Sequence, residues 1–233
     1  VDLFRKTLEE WSGREISDSD IEAAAKILNN DRAALREISA LRKAHKPRIS
    51  GSEALVIIGS SMFMDRAEHA ELTWQVASEA KDWPEIDAKR IFLTGSAHEY
   101  PDFYEMIERN GGVVVGEDHD WGDRHFERDY NSSYSPTRAI VDRYMLRSFS
   151  SKKAFVSQRV QALDEAVNAS QADAVIFYVN MYEESASWDY PSQKKSLEDR
   201  GIATKAFVKM AYPVARNEWL EDSLKKFIDS LKE

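Results

Sequence analysis

Residues 89–126 read KRIFLTGSAHEYPDFYEMIERNGGVVVGEDHDWGDRHF, and their pattern decides the fold. Arg90-Ile91-Phe92-Leu93-Thr94 is a short, β-rich, mostly apolar run that stops at Gly95. Pro101 then stands where a first-turn helical proline belongs, and Phe103, Met106 and Ile107 recur at helical spacing. Asn110-Gly111-Gly112 closes that helix, because Gly and Asn adopt the left-handed C-cap conformation most cheaply. Val113-Val114-Val115 is a second strand without alternation, as expected of a parallel strand covered on both faces. A strand–helix–strand unit puts both strand C-termini on one sheet edge, where open α/β sheets bind ligands. The loops at that edge are Ser96–Tyr100 and Glu117–His125. The second holds Asp118, His119, Asp120, Trp121, Asp123, Arg124 and His125 within eight residues, which makes it the first functional candidate.

Downstream the alternation continues. Thr137–Arg147 and Ser151 to about Ser170 read as helices, and Ala174–Val179 is the strongest strand of the chain. Asn180–Tyr190 (NMYEESASWDY) reads as a long polar loop, after which Pro191 opens a helix to about Arg200. Thr204–Val208 is a fourth strand, and Asn217–Leu231 a closing helix. Upstream no strand pattern is evident. Leu3, Phe4, Leu8 and Trp11 form an apolar stripe, and Ser17 with Asp20 resembles a capping signal. Ala54–Met64 is apolar enough for a buried helix or a strand; helix is favoured, with Gly59-Ser60-Ser61 allowing close packing. A helix over about Ala67–Lys81 follows. The expected fold is α/β: a helical region over residues 1–87, then a four-stranded parallel, flavodoxin-like doubly wound sheet over 88–233.

The 233 residues are 42% hydrophobic and 31% charged, as in an ordinary globular protein. The net charge of −9 argues against sequence-independent nucleic-acid binding. No apolar run approaches a membrane span and no signal-peptide core opens the chain, so a cytoplasmic location is expected. The chain starts at Val1 rather than Met, which suggests a processed start or a piece of something longer. The basic tract Arg32–Lys46 reads as a solvated helix face, with contact to an anionic ligand as the alternative. There are no cysteines, which excludes disulfides, a cysteine nucleophile and thiolate ligands to zinc or an iron–sulfur cluster. His98, His119 and His125 fall on or next to the sheet-edge loops, but no HxxxH or HxH spacing supports a metal site and none is assigned. GxGxxG, GxxxxGK[ST] and GxSxG are all lacking.

Several stretches together resemble the 2-hydroxyacyl-CoA dehydratase and benzoyl-CoA reductase family. They are residues 90–126 with Gly122-Asp123-Arg124, the helix with Arg159, the strand before NMYEES, and SWDYPSQKKSLEDRGI. Upstream, ISDSDIEAAAKILNNDRAALREI and RISGSEALVIIG fit the family's middle region, so the likeness covers nearly the whole chain. Trp188-Asp189-Tyr190-Pro191 looks more like the benzoyl-CoA reductase branch. The resemblance implies a subunit, or subunit fragment, of an enzyme that reduces or dehydrates an acyl-CoA thioester by radical chemistry. It implies an ATP-hydrolysing activator that is a separate protein, and a cluster-bearing partner subunit. Two departures stand out. The family's N-terminal cysteine-bearing domain is absent, and Asn180-Met181-Tyr182 stands where relatives place a cysteine. No cofactor is therefore expected on this chain alone, and a 4Fe–4S cluster only in the assembly or the partner. The residues expected to act on the substrate are His119, Asp118 and Glu183, with Ser96, Asp120, Arg124 and Trp188 as substrate-binding candidates. Arg124 is also a candidate for a structural pair with Asp118 or Asp120. A non-catalytic scaffold subunit beside a cluster-bearing partner is the competing expectation.

Overall fold

The computed structural model describes residues 1–146, 154–214 and 217–231. Four helices come first: α1 (Asp2–Ser12), α2 (Asp18–Lys43), α3 (Gly51–Ser60) and α4 (Arg66–Glu79). Strands and helices then alternate as β1 (Lys89–Gly95), α5 (Asp102–Arg109), β2 (Gly112–Asp118) and α6 (Pro136–Val141), which runs into a π-helical turn at Asp142–Leu146. After α7 (Val156–Ser170) come β3 (Ala174–Asn180), α8 (Glu184–Asp199), β4 (Ala203–Met210) and α9 (Glu218–Asp229). Arg147 and residues 151–153, expected at the ends of two helices, lie outside the described residues.

Local chemistry explains several boundaries. Ser17 accepts the N–H of Asp20 while the Asp20 carboxylate accepts the N–H of Ser17, and Ser50 with Glu53 repeats this box at the start of α3. Each box satisfies donors that a helix N-terminus otherwise leaves unpaired. Gly111, with φ of 89°, makes the left-handed step between α5 and β2.

The strands form one all-parallel sheet in the order β2-β1-β3-β4. This is the doubly wound, flavodoxin-like arrangement. Ile91, Leu93, Val114, Ile176 and Phe207 face α3, α5 and α9 across one core; Phe92, Val175 and Phe177 face α7 and α8 across the other. Both faces are covered, which is why the strand sequences do not alternate. The leading helices join the sheet through α2 and α3, which pack against β2. The register pairs Ile91 with Val114 but Phe92 with Gly116, so Val115 is an extra residue in β2. Such a bulge re-aims the side chains beyond it, and those are Glu117 and Asp118.

Two expectations are corrected. Residues 184–190 are not loop: α8 starts at Glu184 and carries Pro191 inside it. Burial outweighs the proline here, because Asp189 is paired with Arg159 and Tyr190 packs edge-on against Phe177 at 5.1 Å. The basic tract is also not simply solvated, since Arg32 and Arg42 are buried. The stripe on α1, by contrast, is exposed, with Trp11 79% accessible. Among the described residues no helix is long and apolar enough to cross a membrane.

Candidate functional site

At the C-terminal edge of the sheet the ends of β1, β2 and β3 and the first turns of α8 enclose a crevice of about 200 Å³. Ser96 enters from β1, Asp118, His119, Asp120 and Arg124 from β2, and Glu183, Asp189 and Gln193 from the chain after β3. Six of the seven candidate side chains are thus brought around one space. Trp188 is not among them: it is 80% exposed and lines a neighbouring hollow with Met181, Tyr182 and Glu183. The β1 turn is built by close approach. Gly95 sits at φ 119°, and a Cβ there would lie 2.3 Å from the Tyr178 carbonyl oxygen. That closeness lets the Ser96 N–H donate to the Tyr178 carbonyl at 2.8 Å and the Ser96 hydroxyl accept the N–H of Asn180 at 2.9 Å.

His119 is buried although it lines the crevice. Its Nε2 lies 2.9 Å from the Tyr104 hydroxyl, and its Nδ1 has no hydrogen-bond partner among the described residues. Burial pushes the imidazole well below its ordinary pKa, and the His98 ring, Arg124 and Arg42 push the same way. His119 is therefore a neutral ring at physiological pH. Burial likewise raises Tyr104 well above the ordinary phenol, so its proton stays in place. His98 stands behind His119, with ring centroids 5.9 Å apart, stacked on Phe103 and edge-on to Tyr178. It does not line the crevice.

A charged scaffold holds the loop after β2. Arg42 of α2, with no exposed surface, donates to both oxygens of Glu117 at 2.6 and 3.0 Å and to Asp123 at 2.9 Å. Burial alone would lower the Arg42 pKa; Glu117 and Asp123 reverse that and hold the guanidinium above its ordinary value. Gly122 is required beside this pair, because a Cβ would come within 2.2 Å of Glu117 Cγ. Arg124 donates to Asp118 at 2.6 Å and lies 3.7 Å from Asp120, the structural pairing expected of it. On the far side Arg159 of α7 holds Asp189 of α8 through a two-point buried ion pair.

Topology alone brought Ser96, Asp118, His119, Asp120, Arg124 and Glu183 to the same edge. Tyr104, Arg42, Asp189 and Gln193 were missed as contributors. Glu117 carried a usable signal, an acidic residue closing an apolar strand; Tyr104 carried none. Among the described residues no group of three His, Cys, Asp or Glu side chains is arranged to hold a metal ion. The donor set does not fit an iron–sulfur cluster, since the sequence contains no cysteine and thiolates are the usual ligands.

Fold and crevice together define a doubly wound α/β protein with a candidate ligand-binding edge at the strand C-termini. The family model described as 2-hydroxyglutaryl-CoA dehydratase, D-component, matches residues 1–232, and the chain belongs to that family. It is 26% identical over 197 residues to the (R)-phenyllactyl-CoA dehydratase beta subunit of Clostridium sporogenes, a match covering 84% of this chain and 53% of that one. It is 20% identical over 236 residues to a benzoyl-CoA reductase subunit of Thauera aromatica, covering 98% and 61%. It is also 24% identical over 207 residues to the (R)-2-hydroxyglutaryl-CoA dehydratase beta subunit of Acidaminococcus fermentans, covering 84% and 53%. The chain spans a little over half the length of these relatives.

Proposed function

We propose that the chain is part of a subunit of a cytoplasmic acyl-CoA-processing enzyme, acting as a 2-hydroxyacyl-CoA dehydratase or benzoyl-CoA reductase does on a CoA thioester. The crevice holds the thioester end of the substrate. The radical step relies on an electron from an ATP-hydrolysing activator and a cluster-bearing partner subunit, and no step is assigned to a cluster on this chain. What this chain supplies is a hydrogen bond and shape. In this reading Tyr104 donates to Nε2 of His119, which leaves the ring proton on Nδ1, and that N–H, buried beneath the crevice wall, donates to the thioester carbonyl oxygen as it gains negative charge. A neutral donor in a dry site stabilises such an oxygen without prior reorganisation. Glu183 is assigned proton exchange with the substrate, as is Asp118 through the carboxylate oxygen that does not accept from Arg124, and Ser96, Asp120 and Arg124 complete the walls. The observation that carries the proposal is the buried, neutral His119 on the crevice wall with one ring nitrogen unpartnered.

In the assembled enzyme, His119→Ala is expected to lower turnover about 100-fold, the magnitude of one lost oxyanion donor. Acyl-CoA binding should weaken far less, because the bond matters most in the transition state. Single-turnover rates and equilibrium binding separate the two. The absence of cysteine favours a second reading, a scaffold that contributes only shape to a cluster-bearing partner. Full turnover in His119→Ala would establish that second reading over the first.

A further inference from the structure

Behind the wall formed by Asp120 and Arg124 lies a second cavity, of about 250 Å³, which the proposed chemistry does not use. Its cations come from separate elements: Arg32 from α2, Arg66 from α4, Arg124 from the loop after β2, and Arg143 from the π-helical turn after α6. Arg124 is occupied by Asp118, whereas Arg66 gives only Nη1 to His125 and to Asp31, which it shares with His69, and its other terminal nitrogen has no acceptor among the described residues, so it counts as a third fork. Arg32 and Arg143 are different. They are 6% and 5% exposed, and neither has a carboxylate within ion-pair distance among the described residues.

Arg32 donates instead to the Asn29 side-chain oxygen and to the Tyr144 hydroxyl, both at 2.9 Å. Arg143 Nε donates to the Arg128 carbonyl at 2.6 Å, and one of its terminal nitrogens reaches two further carbonyls at 3.4 Å. The other terminal nitrogen of Arg143 has no hydrogen-bond acceptor among the described residues. The negative groups compensate only in part: Asp31 is committed, Asp120 is exposed at the rim, and Glu127 attracts Arg143 from beyond ion-pair distance. Two buried guanidinium groups without an ion-pair partner among the described residues, facing one cavity, are costly unless an anion joins them.

We propose that this cavity binds a phosphate-class oxyanion. Guanidinium forks bind oxyanions bidentately, and a tetrahedral group presents separate edges to forks arriving from different elements. A carboxylate presents one edge and suits three convergent forks less well. The anion has two chemical sources, free phosphate or the phosphoryl groups of a larger molecule such as CoA. The CoA source rests on the acyl-CoA reading above, whereas the phosphate site does not, so the two can fail separately.

Calorimetric titration of the 233-residue chain tests this with inorganic phosphate, pyrophosphate and malonate, and with CoA as competitor. Saturable binding of phosphate or pyrophosphate is expected, weakened about tenfold by Arg143→Gln and by Arg66→Gln, as for one lost charge-assisted bond. Competition by CoA identifies the carried phosphoryl group as the source, and no competition identifies free phosphate; both support the site. Where Arg143→Gln does not melt cooperatively, Arg66→Gln, altered at a partly exposed side chain, decides alone. Absence of saturable binding, affinity unchanged in Arg66→Gln, or malonate binding as tightly as phosphate would each overturn the proposal.

Discussion

His98 carries a thermodynamic consequence of its position. It is buried against Phe103 and Tyr178, its Nε2 has no partner among the described residues, and burial pushes its pKa down to about 3. The unfolded chain protonates this ring near its ordinary value of about 6.5. Below that pH the unfolded state binds a proton that the folded state does not, so stability falls as pH falls until the folded pKa is reached. The loss is about 1.4 kcal/mol per pH unit from this one group. In His98→Gln, denaturant titrations between about pH 6 and pH 4 should give a slope of stability against pH shallower by about that amount. An unchanged slope would mean that His98 protonates freely in the folded state. Arg42 shows the opposite limit, a charge wholly buried because Glu117 and Asp123 accept its donors. It was not legible as such, since its partner Glu117 lies 75 positions away and helix periodicity reports only which face a residue shares.

At the scale of elements, short apolar runs separated by capped helices were enough to locate all four strands, because parallel strands buried on both faces leave an uninterrupted signature. The start of α8 was not legible for a specific reason. Proline is best tolerated in a first helical turn, so Pro191 read as a beginning, whereas seven helical residues precede it. Those residues are helical because Asp189 and Tyr190 gain tertiary partners that local propensity cannot report. The penalty of an interior proline should therefore be recoverable. Pro191 is exposed, and Ala is about 3 kcal/mol better in a helix interior. Part of that is offset by about 0.4–1 kcal/mol because proline restricts the unfolded chain. Pro191→Ala should raise stability by about 2 kcal/mol, read as a higher urea midpoint with an unchanged slope. A lower midpoint would indicate that the proline itself positions Asp189 against Arg159.

For the molecule as a whole, topology explains why the crevice was legible and its support was not. Consecutive parallel strands end on one edge, so loops about 20 to 85 residues apart converge without any detail of packing. The charged network beneath them depends on which helix lies over β2, and the order of elements does not encode that. The same network bears on metal content. Besides lacking cysteine, the chain has committed many of the polar groups in and around the crevice: Glu117 to Arg42, one oxygen of Asp118 to Arg124, Asp189 to Arg159, and Nε2 of His119 to Tyr104. His98 and His119 lie close enough to suggest a pair of imidazole ligands, but a cluster held by two histidines still needs two thiolates on its other iron. The chain purified under strictly anaerobic conditions should accordingly contain no stoichiometric iron and show no reducible visible absorption. Iron analysis after incubation with ferrous ion, sulfide and reductant is the stringent form of the test, because it offers the cluster components in excess. About four irons per chain, with a visible band that bleaches on reduction, would mean that oxygen and nitrogen donors suffice here, and would move the electron-accepting centre onto this polypeptide.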